Sequence, residues 1–370
     1  MIRLLISDDS AFMRIAIRKM VEGSADIEVV GEAKTGQMCV EMAETLKPDV
    51  ITMDVEMPVM DGLEATRQIM AKFPCPIIML SSLTERNSVT TIKAMEMGAV
   101  DFIAKKSSFV QLDIVKIGDE LVEKLRFWAK KRSRLSSLLQ SRAPLSESPT
   151  APNSSALRRP STSAPPGLVV LGISTGGPAT LPLVLKSMGK LPCPMVVAQH
   201  MPPMFTSGFA KHLRAETGLD VVESTDSMEA KPGMVIIARG GTDVVVREPF
   251  PGKIMLYQKT DASAPIHPNA DVLFRSAAAV SCPVVAVVMT GMGSDGTQGA
   301  KDLVARKGSA ILAQEPNSCI VDGMPSSVID AGMASAVLTP QELGTRLARL
   351  CAQRTSSFSN QTFSSSGIAT

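Results

Sequence analysis

Three carboxylates and one ammonium in the first third of the sequence fall where predicted strands end. Asp8 and Asp9 follow the apolar run RLLIS, Asp54 ends DVITMD, and Lys105 ends VDFIAK. Oxygen ligands of this kind suit Mg²⁺, whose octahedral shell waters and a phosphate oxygen can complete. One of the carboxylates could then accept a phosphoryl group, with the metal and Lys105 neutralising the developing charge. Ser81, at the end of another apolar run, is placed to hydrogen-bond the new phosphate oxygens.

A second group of residues, beyond residue 166, has the composition of a nucleophilic hydrolase site. Ser174 lies in GISTGG, between a predicted strand and a predicted helix, with the G-x-S-x-G spacing of a nucleophile elbow. Small neighbours leave such a hydroxyl exposed at a helix N-terminus, where backbone N–H groups can stabilise an oxyanion. The spacing also fits a phosphate-cradling turn of a nucleotide-binding fold, but no lysine follows at Walker A spacing.

A hydroxyl nucleophile needs a base, and the sequence holds three histidines. His200 ends the strand-like run PMVVAQH and is the preferred base, the alternative being a structural histidine at a strand end. His212 lies in a charged helical stretch, KHLR, where a solvated face is expected. His267 precedes a helix at a cleft-lining or capping position. Asp295, in a glycine-rich loop after an apolar run, suits the carboxylate that orients the imidazole, or else a simple turn.

Alternating apolar runs and helix-period segments must position these groups. Before residue 130 the pattern predicts five strands and five helices, and continuous Ile/Val/Leu/Met runs favour a parallel sheet covered on both faces. After residue 166 the alternation resumes, with a strand-rich insert around a tight Gly240-Gly241 turn. We expect a five-stranded parallel, flavodoxin-like α/β domain, then a second doubly wound, mostly parallel α/β domain. The carboxyl ends of parallel strands share one sheet edge, which would gather each group.

A Ser/Pro/Ala-rich stretch without apolar periodicity separates the two halves and reads as a flexible linker, and the C-terminal segment is rich in Ser and Thr. Such a tail is expected to be disordered because it cannot bury an apolar core. The chain is therefore divided into a first domain, a linker, a second domain and a tail, at residues 1–125, 126–166, 167–350 and 351–370.

Charge and cysteine usage narrow the functional classes. Lys and Arg number 38 against 36 Asp and Glu, and a net charge of +2 argues against a nucleic-acid binder. The six cysteines include no C-x-x-C pair, so neither a zinc site nor a secreted disulfide framework is predicted. No apolar stretch is long enough for a membrane span, so we expect no membrane insertion and a cytoplasmic location.

Charge is also unevenly distributed along the chain. Acidic residues predominate in 1–130 and basic residues in 131–166. This asymmetry suggests that two basic pairs of the linker, Lys131-Arg132 and Arg158-Arg159, contact the acidic first domain.

The segment that contains the first group of residues, about 1–125, resembles two-component receiver domains. The resemblance rests on the acid pair DD, the segment MDVEMPVMDG, the serines SS and the segment GAVDFIAK. It implies a histidine kinase as phosphodonor, and Lys106 stands where the family usually has proline. It also implies roles for individual residues: phosphoacceptor for Asp54, Mg²⁺ ligands for Asp8, Asp9 and Asp54, switch hydroxyl for Ser81, charge partner for Lys105, and rotamer-changing aromatic for Phe102.

The second half resembles the catalytic domain of chemotaxis protein-glutamate methylesterases of the CheB type, over about residues 167–350. The matching segments are GISTGGP, AQHMPPMFTSGFA, HPNADVLFRS and MTGMGSDGTQGA. The resemblance implies a carboxylic-ester hydrolase that needs no cofactor for the ester reaction. The roles it implies are nucleophile for Ser174, base then acid for His200, orienting carboxylate for Asp295, and oxyanion-hole backbone N–H groups at Thr175 and Met292.

Together the two resemblances imply a phosphorylation-activated response regulator in chemotaxis adaptation. Such an enzyme would hydrolyse glutamate γ-methyl esters on methyl-accepting chemoreceptors to glutamate and methanol, and would also deamidate receptor glutamine. The unphosphorylated receiver would obstruct the Ser174 cleft. Two alternatives stay open at this point: a binding module that retains the fold without catalysis, and the same hydrolase acting on a target outside chemotaxis.

Overall fold

The computed structural model describes the chain in six stretches. Within them, side chains are described everywhere except at residues 82–89 and 111–116. Most of the expected linker, residues 353–370 of the expected disordered tail, Lys106 and the pair Arg158-Arg159 lie outside the described residues. The tail was expected to start at residue 351, which was wrong for Cys351 and Ala352, because they end a helix and Cys351 is buried. The described stretches are residues 1–82, 85–105, 111–132, 165–260, 266–306 and 308–352.

The N-terminal domain is a five-stranded parallel sheet with helices on both faces, as predicted. Its strand order is β2-β1-β3-β4-β5, the flavodoxin-like order. Its strands are β1 (Ile2–Ser7), β2 (Ile27–Ala33), β3 (Val50–Asp54), β4 (Ile77–Ser82) and β5 (Asp101–Lys105). Its helices are α1 (Ala11–Glu22), α2 (Gly36–Leu46), α3 (Gly62–Lys72), α4 (Glu85–Glu96) and α5 (Gln111–Lys130).

Local sequence explains where these elements begin and what they bury. Ser10, Thr35 and Asp61 each cap the following helix by accepting a hydrogen bond from its third residue's backbone N–H. Strand β3 is buried along its whole length, which is why it reads as an unbroken apolar run up to Asp54.

Helix α5 continues past residue 125, where the sequence suggested that the linker starts. Trp128 is almost fully buried, and its indole N–H donates to Asp101 Oδ2 at 3.4 Å. Beyond the helix, Arg132 pairs with Asp49 of the N-terminal domain at 2.7 Å, as the charge asymmetry suggested. Lys131 pairs instead with Asp322 of the C-terminal domain at 2.7 Å, so for this residue the expected contact was wrong.

The C-terminal domain is built on a seven-stranded parallel sheet of order β15-β14-β13-β6-β7-β10-β8, beside a small antiparallel sheet of order β11-β12-β9. The strands are β6 (Leu168–Ile173), β7 (Met195–Gln199), β8 (Asp220–Glu223), β9 (Met228–Glu229), β10 (Met234–Ile237), β11 (Asp243–Phe250), β12 (Lys253–Lys259), β13 (Val284–Val288), β14 (Ala310–Gln314) and β15 (Ala336–Leu338). The helices are α6 (Gly177–Met188), α7 (Phe205–Thr217), α8 (Ala270–Ala277), α9 (Thr297–Val304), α10 (Gly323–Asp330) and α11 (Pro340–Ala352), with a 3₁₀ turn at Pro316–Ser318.

The expected strand-rich insert is smaller than the sequence suggested. Strand β10 pairs in parallel with β7 and β8, so it belongs to the large sheet and not to the insert. The Gly240-Gly241 turn therefore connects the large sheet to the small one and does not close a hairpin. The hairpin is β11–β12, which is antiparallel. A short run such as GMVIIA fits a buried strand of either sheet, because its pattern has no alternation that would fix its partner.

The two domains pack against each other through α4 of the first and α6 and α7 of the second. His212 Nε2 lies 2.6 Å from Glu96 Oε1 across this interface, and its side chain is only 15% exposed. The expectation that His212 lies on a solvated face was therefore wrong, because the N-terminal domain covers that face. In the part of the chain that the structure describes, no helix is both long and apolar enough to cross a bilayer.

Candidate active site

The first group of predicted residues meets at the carboxyl edge of the five-stranded sheet. Asp8 follows β1, Asp54 ends β3 and Lys105 ends β5. Lys105 Nζ lies 2.8 Å from Asp8 Oδ2 and 2.8 Å from Asp54 Oδ1, so one ammonium bridges two carboxylates. Asp8, Asp54 and Ser81 are all buried, and Ser81 lies near the end of β4 at the same edge.

Asp9 completes a set of three carboxylates at this edge of the sheet. One oxygen each of Asp8, Asp9 and Asp54 lies within 4.8 Å of the others, a donor set that fits a hard cation such as Mg²⁺. Burial raises the pKa of Asp54 to about 6; Lys105 opposes this rise and the charge of Asp8 adds to it. A cation bound among the carboxylates would relieve their mutual repulsion.

The second group meets at the corresponding edge of the seven-stranded sheet. Ser174 follows β6, His200 follows β7, and Asp295 lies in the loop between β13 and α9. These three strands are neighbours, with β6 between β13 and β7. The structure thus brings together three residues that are far apart in the sequence, through the parallel topology that the apolar runs predicted.

Hydrogen bonds link the three side chains in series. His200 Nδ1 lies 3.0 Å from Ser174 Oγ, and His200 Nε2 lies 2.7 Å from Asp295 Oδ2. Since a carboxylate only accepts, the proton of neutral His200 lies on Nε2, which leaves Nδ1 to accept from the serine hydroxyl. This arrangement can activate Ser174 as a nucleophile.

Asp295 is held as an ionised acceptor at the N-terminus of α8. Its carboxylate accepts backbone N–H bonds from Ala270 at 2.7 Å, Asp271 at 2.9 Å and Gly296 at 2.9 Å. Burial by itself would raise the pKa of Asp295, but the hydrogen bond and charge of His200, with these backbone donors, hold it below the ordinary value. A charged carboxylate therefore faces the imidazole.

Two glycines explain how the chain turns sharply at Ser174. Gly176 adopts a left-handed conformation with φ of 83°, which glycine takes at little cost. At Gly177 a Cβ would lie 1.9 Å from Gln199 Oε1, so no side chain fits there. The elbow interpretation of G-x-S-x-G is therefore favoured over a phosphate cradle, because His200 lies against the serine hydroxyl.

Thr175 follows Ser174 directly in the chain, and Met292 lies in the loop between β13 and α9. Both residues line the same cavity as Ser174 and His200. Among the described residues, neither N–H donates to a protein acceptor. Their role as oxyanion-hole donors, which the family resemblance implied, stays a prediction.

Gln199 is a positioning residue that the motif search did not single out. Its Nε2 lies 3.0 Å from the carbonyl oxygen of Ser174 and 3.1 Å from that of His200, so it connects the two loops. Gln199 is 1% exposed. The sequence feature that could have indicated this role is an amide side chain directly before His200, at the end of the apolar run PMVVA.

The cavity beside Ser174 lies between the two domains. Its volume is about 640 Å³, and its N-terminal-domain wall includes Phe102 of β5 and Lys124 of α5. The ring of Phe102 stacks on that of Phe205 of α7, with centroids 4.9 Å apart. The N-terminal domain therefore forms one wall of the cavity that contains the serine.

Comparisons with known proteins found matches to both domains. The family model described as CheB methylesterase matches residues 169–347, and the one described as response regulator receiver domain matches residues 4–115. A protein-glutamate methylesterase/protein-glutamine glutaminase of Bacillus subtilis is 40% identical over 323 residues, which cover 86% of this chain and 90% of the relative.

A second relative of the same description and one solved structure were also found. Protein-glutamate methylesterase/protein-glutamine glutaminase 1 of Saccharophagus degradans is 38% identical over 333 residues, again covering 86% of this chain and 90% of the relative. The crystal structure of the Thermotoga maritima CheB methylesterase catalytic domain is 37% identical, with a TM-score of 0.48, and covers 50% of this chain and 100% of its own.

Proposed function

The chain belongs to the CheB methylesterase family and carries a response regulator receiver domain, and on that premise we propose that it is a phosphorylation-activated protein-glutamate methylesterase and glutaminase. Its substrates are methyl-accepting chemoreceptors, and its role is adaptation in chemotaxis, in the cytoplasm. The observation that carries the proposal is the hydrogen-bonded series Ser174, His200 and Asp295. An intact series of this kind disfavours a binding module without catalysis.

In the first half of the reaction, Ser174 Oγ attacks the γ-carbonyl carbon of a methylated glutamate. His200 Nδ1 takes the hydroxyl proton, and Asp295 stabilises the imidazolium through Nε2. The backbone N–H groups of Thr175 and Met292 bind the oxyanion. When the tetrahedral intermediate collapses, the C–O bond to the methoxy group breaks, His200 returns its proton to that oxygen, and methanol leaves.

In the second half, water releases the acyl group from the serine. His200 takes a proton from the water, the hydroxide attacks the glutamyl-serine ester, and the proton is returned to Ser174 Oγ as that bond breaks. The product is glutamate. With glutamine as substrate the steps are the same, except that ammonia leaves in place of methanol, so one set of residues serves both reactions.

The N-terminal domain supplies the control. We propose that a histidine kinase is the phosphodonor, that Asp54 accepts the phosphoryl group, and that Ser81 and Lys105 bond its oxygens. Asp8, Asp9 and Asp54 would hold Mg²⁺, which would neutralise charge on the phosphoryl group. The division into receiver, linker, catalytic domain and tail remains part of this proposal, with the linker starting after α5 and the tail after α11.

Phosphorylation acts by shifting the contact between the domains. Lys105 already bonds Asp54 and lies on the same strand as Phe102, so a phosphoryl group on Asp54 that makes Lys105 rearrange also perturbs Phe102 and its stacking on Phe205. Loss of that contact opens the cavity, which the N-terminal domain otherwise covers. The unphosphorylated protein is therefore expected to have low activity.

Ser174→Ala tests the assignment of the nucleophile. Methanol release from methylated receptor should fall by about 10³-fold or more, because the acyl-enzyme cannot form. The matched control is Ser187→Ala, because Ser187 lies near the end of α6, the helix that follows Ser174, and does not line the cavity. This variant should retain the wild-type rate. Full methanol release by Ser174→Ala would refute the proposal.

A further inference from the structure

A second His–Asp pair lies beside the cavity, separate from His200 and Asp295. His267 Nδ1 lies 2.9 Å from Asp243 Oδ2, and Asp243 is completely buried. The other oxygen of Asp243 accepts the backbone N–H of Asn269 at 2.8 Å. Both oxygens of one buried carboxylate thus hold the segment from His267 to Asn269, and the imidazole is fixed in orientation.

The bond to Asp243 uses only one of the two ring nitrogens. The side chain of His267 is 16% exposed and lines the cavity that Ser174 and His200 also line. In the described part of the chain, no protein group bonds its Nε2. Because Nδ1–H donates its hydrogen bond to the Asp243 carboxylate, the neutral ring carries a lone pair on Nε2. His267 therefore offers a fixed acceptor to a molecule in the cavity.

The two substrates of the proposed reaction differ in what they can donate to such an acceptor. A γ-amide carries two N–H donors on its leaving group, whereas a methoxy group carries none. The amide nitrogen must also direct its lone pair toward His200 in order to be protonated as it leaves. An acceptor that holds one N–H elsewhere favours that orientation, so it aids deamidation and leaves ester hydrolysis nearly unaffected.

We propose that His267 determines specificity, with its Nε2 accepting a hydrogen bond from the γ-amide of a glutamine substrate. Asp243 is the positioning residue that fixes the ring. The inference rests on the proposed hydrolysis at Ser174 and extends it, because it assigns the preference for amide over ester to a residue outside the hydrogen-bonded series.

A purely structural role for His267 predicts a different outcome. Asn269 caps α8 by accepting the N–H of Val272 at 2.9 Å, and the first N–H groups of that helix bind Asp295. If His267 only anchored the start of α8, its loss would act through Asp295. Both reactions depend on Asp295, so both would then slow by the same factor.

His267→Asn separates the two roles. The side-chain N–H of asparagine can replace Nδ1 as the donor to Asp243, while the Nε2 acceptor is lost. In the full chain with a small phosphodonor, kcat/KM for ammonia release from glutamine-bearing receptor should fall at least about tenfold. Methanol release from methylated receptor should stay within about threefold of wild type, because the ester makes no bond to Nε2.

Equal losses in both reactions, or no loss in either, would overturn the proposal. A wild-type chain without either activity would instead overturn the proposed function, so the two failures are distinguishable. If His267→Asn does not fold, the comparison of His267→Gln with His267→Ala replaces it. The glutamine side-chain oxygen can reach the position of Nε2, so ammonia release should be higher in His267→Gln; equal rates in the two variants would contradict the proposal.

Discussion

The imidazole of His200 is turned so that Nδ1 faces Ser174 and Nε2 faces Asp295. In the familiar serine-protease arrangement the two nitrogens have the opposite partners. The chemistry is unaffected, because either nitrogen can take the proton while the other donates to the carboxylate. Sequence position predicted which residues meet, but the ring orientation depends on the directions from which the loops after β6 and β13 approach.

Asp54 carries a charge that burial makes costly. Its pKa is raised from 3.8 to about 6, so the folded protein binds a proton more tightly than the unfolded chain. The stability that this proton provides is fully present below about pH 4 and is lost as the pH rises through about 6. Above that pH the folded state holds an unfavourable carboxylate, apart from what Lys105 recovers.

Asp54→Asn should therefore stabilise the Mg²⁺-free N-terminal domain at pH 8, on the order of 1–3 kcal/mol, by removing that buried charge. The gain should shrink as the pH is lowered toward 5. Urea unfolding in a chelating buffer, followed through the single tryptophan, Trp128, measures it. Glu56→Gln removes an exposed carboxylate nearby and is the control. Destabilisation at pH 8, or a gain independent of pH, would contradict the prediction.

At the level of elements, helix α11 crosses helix α6 at Gly344 without room for a side chain. A Cβ on Gly344 would lie 2.3 Å from the carbonyl oxygen of Val184 and 2.8 Å from Cβ of Ser187. The close approach lets Leu343 and Leu347, which are completely buried, pack into the core of the C-terminal domain. The last helix is therefore an integral part of that domain.

Gly344→Ala should destabilise the C-terminal domain by about 1–3 kcal/mol through overpacking. Helix propensity alone would predict the opposite sign, since alanine is favoured over glycine by about 1 kcal/mol in a helix interior. Thermal unfolding of the full chain distinguishes the two expectations. Gln341→Ala, at an exposed position of the same helix, should change the midpoint little. An increased midpoint for Gly344→Ala would show that the helices can separate at small cost.

Sequence patterns predicted most of these elements because buried parallel strands have a clear signature. The runs ending at Asp54 and His200 placed both residues at the correct sheet edge. The same reasoning was wrong for β10, because an isolated apolar run does not reveal which strand it pairs with. Gln199 and Asp243 were missed because their roles depend on contacts between loops distant in sequence, which carry no local pattern.

At the level of the whole molecule, the domains are joined by a mixed interface that composition could not predict. It contains the stacked pair Phe102 and Phe205 and the hydrogen bond between Glu96 and His212. A charged helical stretch such as KHLR has the pattern of a solvated face, and only the docking of α4 turns that face inward. The sequence predicted two domains and their separate chemistries, but not the surface through which one controls the other.

Glu96→Gln and His212→Ala should each increase the basal rate of methanol release, by roughly threefold to tenfold, because each removes one partner of an interdomain contact. Stimulation by phosphorylation should fall correspondingly. The double variant should gain no more than the larger single effect, since the two residues act as one pair. Arg214→Ala, which breaks an exposed pair within the C-terminal domain, is the control. Unchanged basal rates in both single variants would mean that this contact does not restrain the enzyme.

The central claim is that phosphorylation of Asp54 controls hydrolysis at Ser174. The most direct test is the rate of methanol release from methylated receptor by the full chain, with and without a small phosphodonor and Mg²⁺. We predict a low basal rate that rises at least about tenfold with the phosphodonor in wild type, does not rise in Asp54→Asn, and is absent in Ser174→Ala. A rate that the phosphodonor leaves unchanged in wild type, or raises equally in Asp54→Asn, would contradict the account.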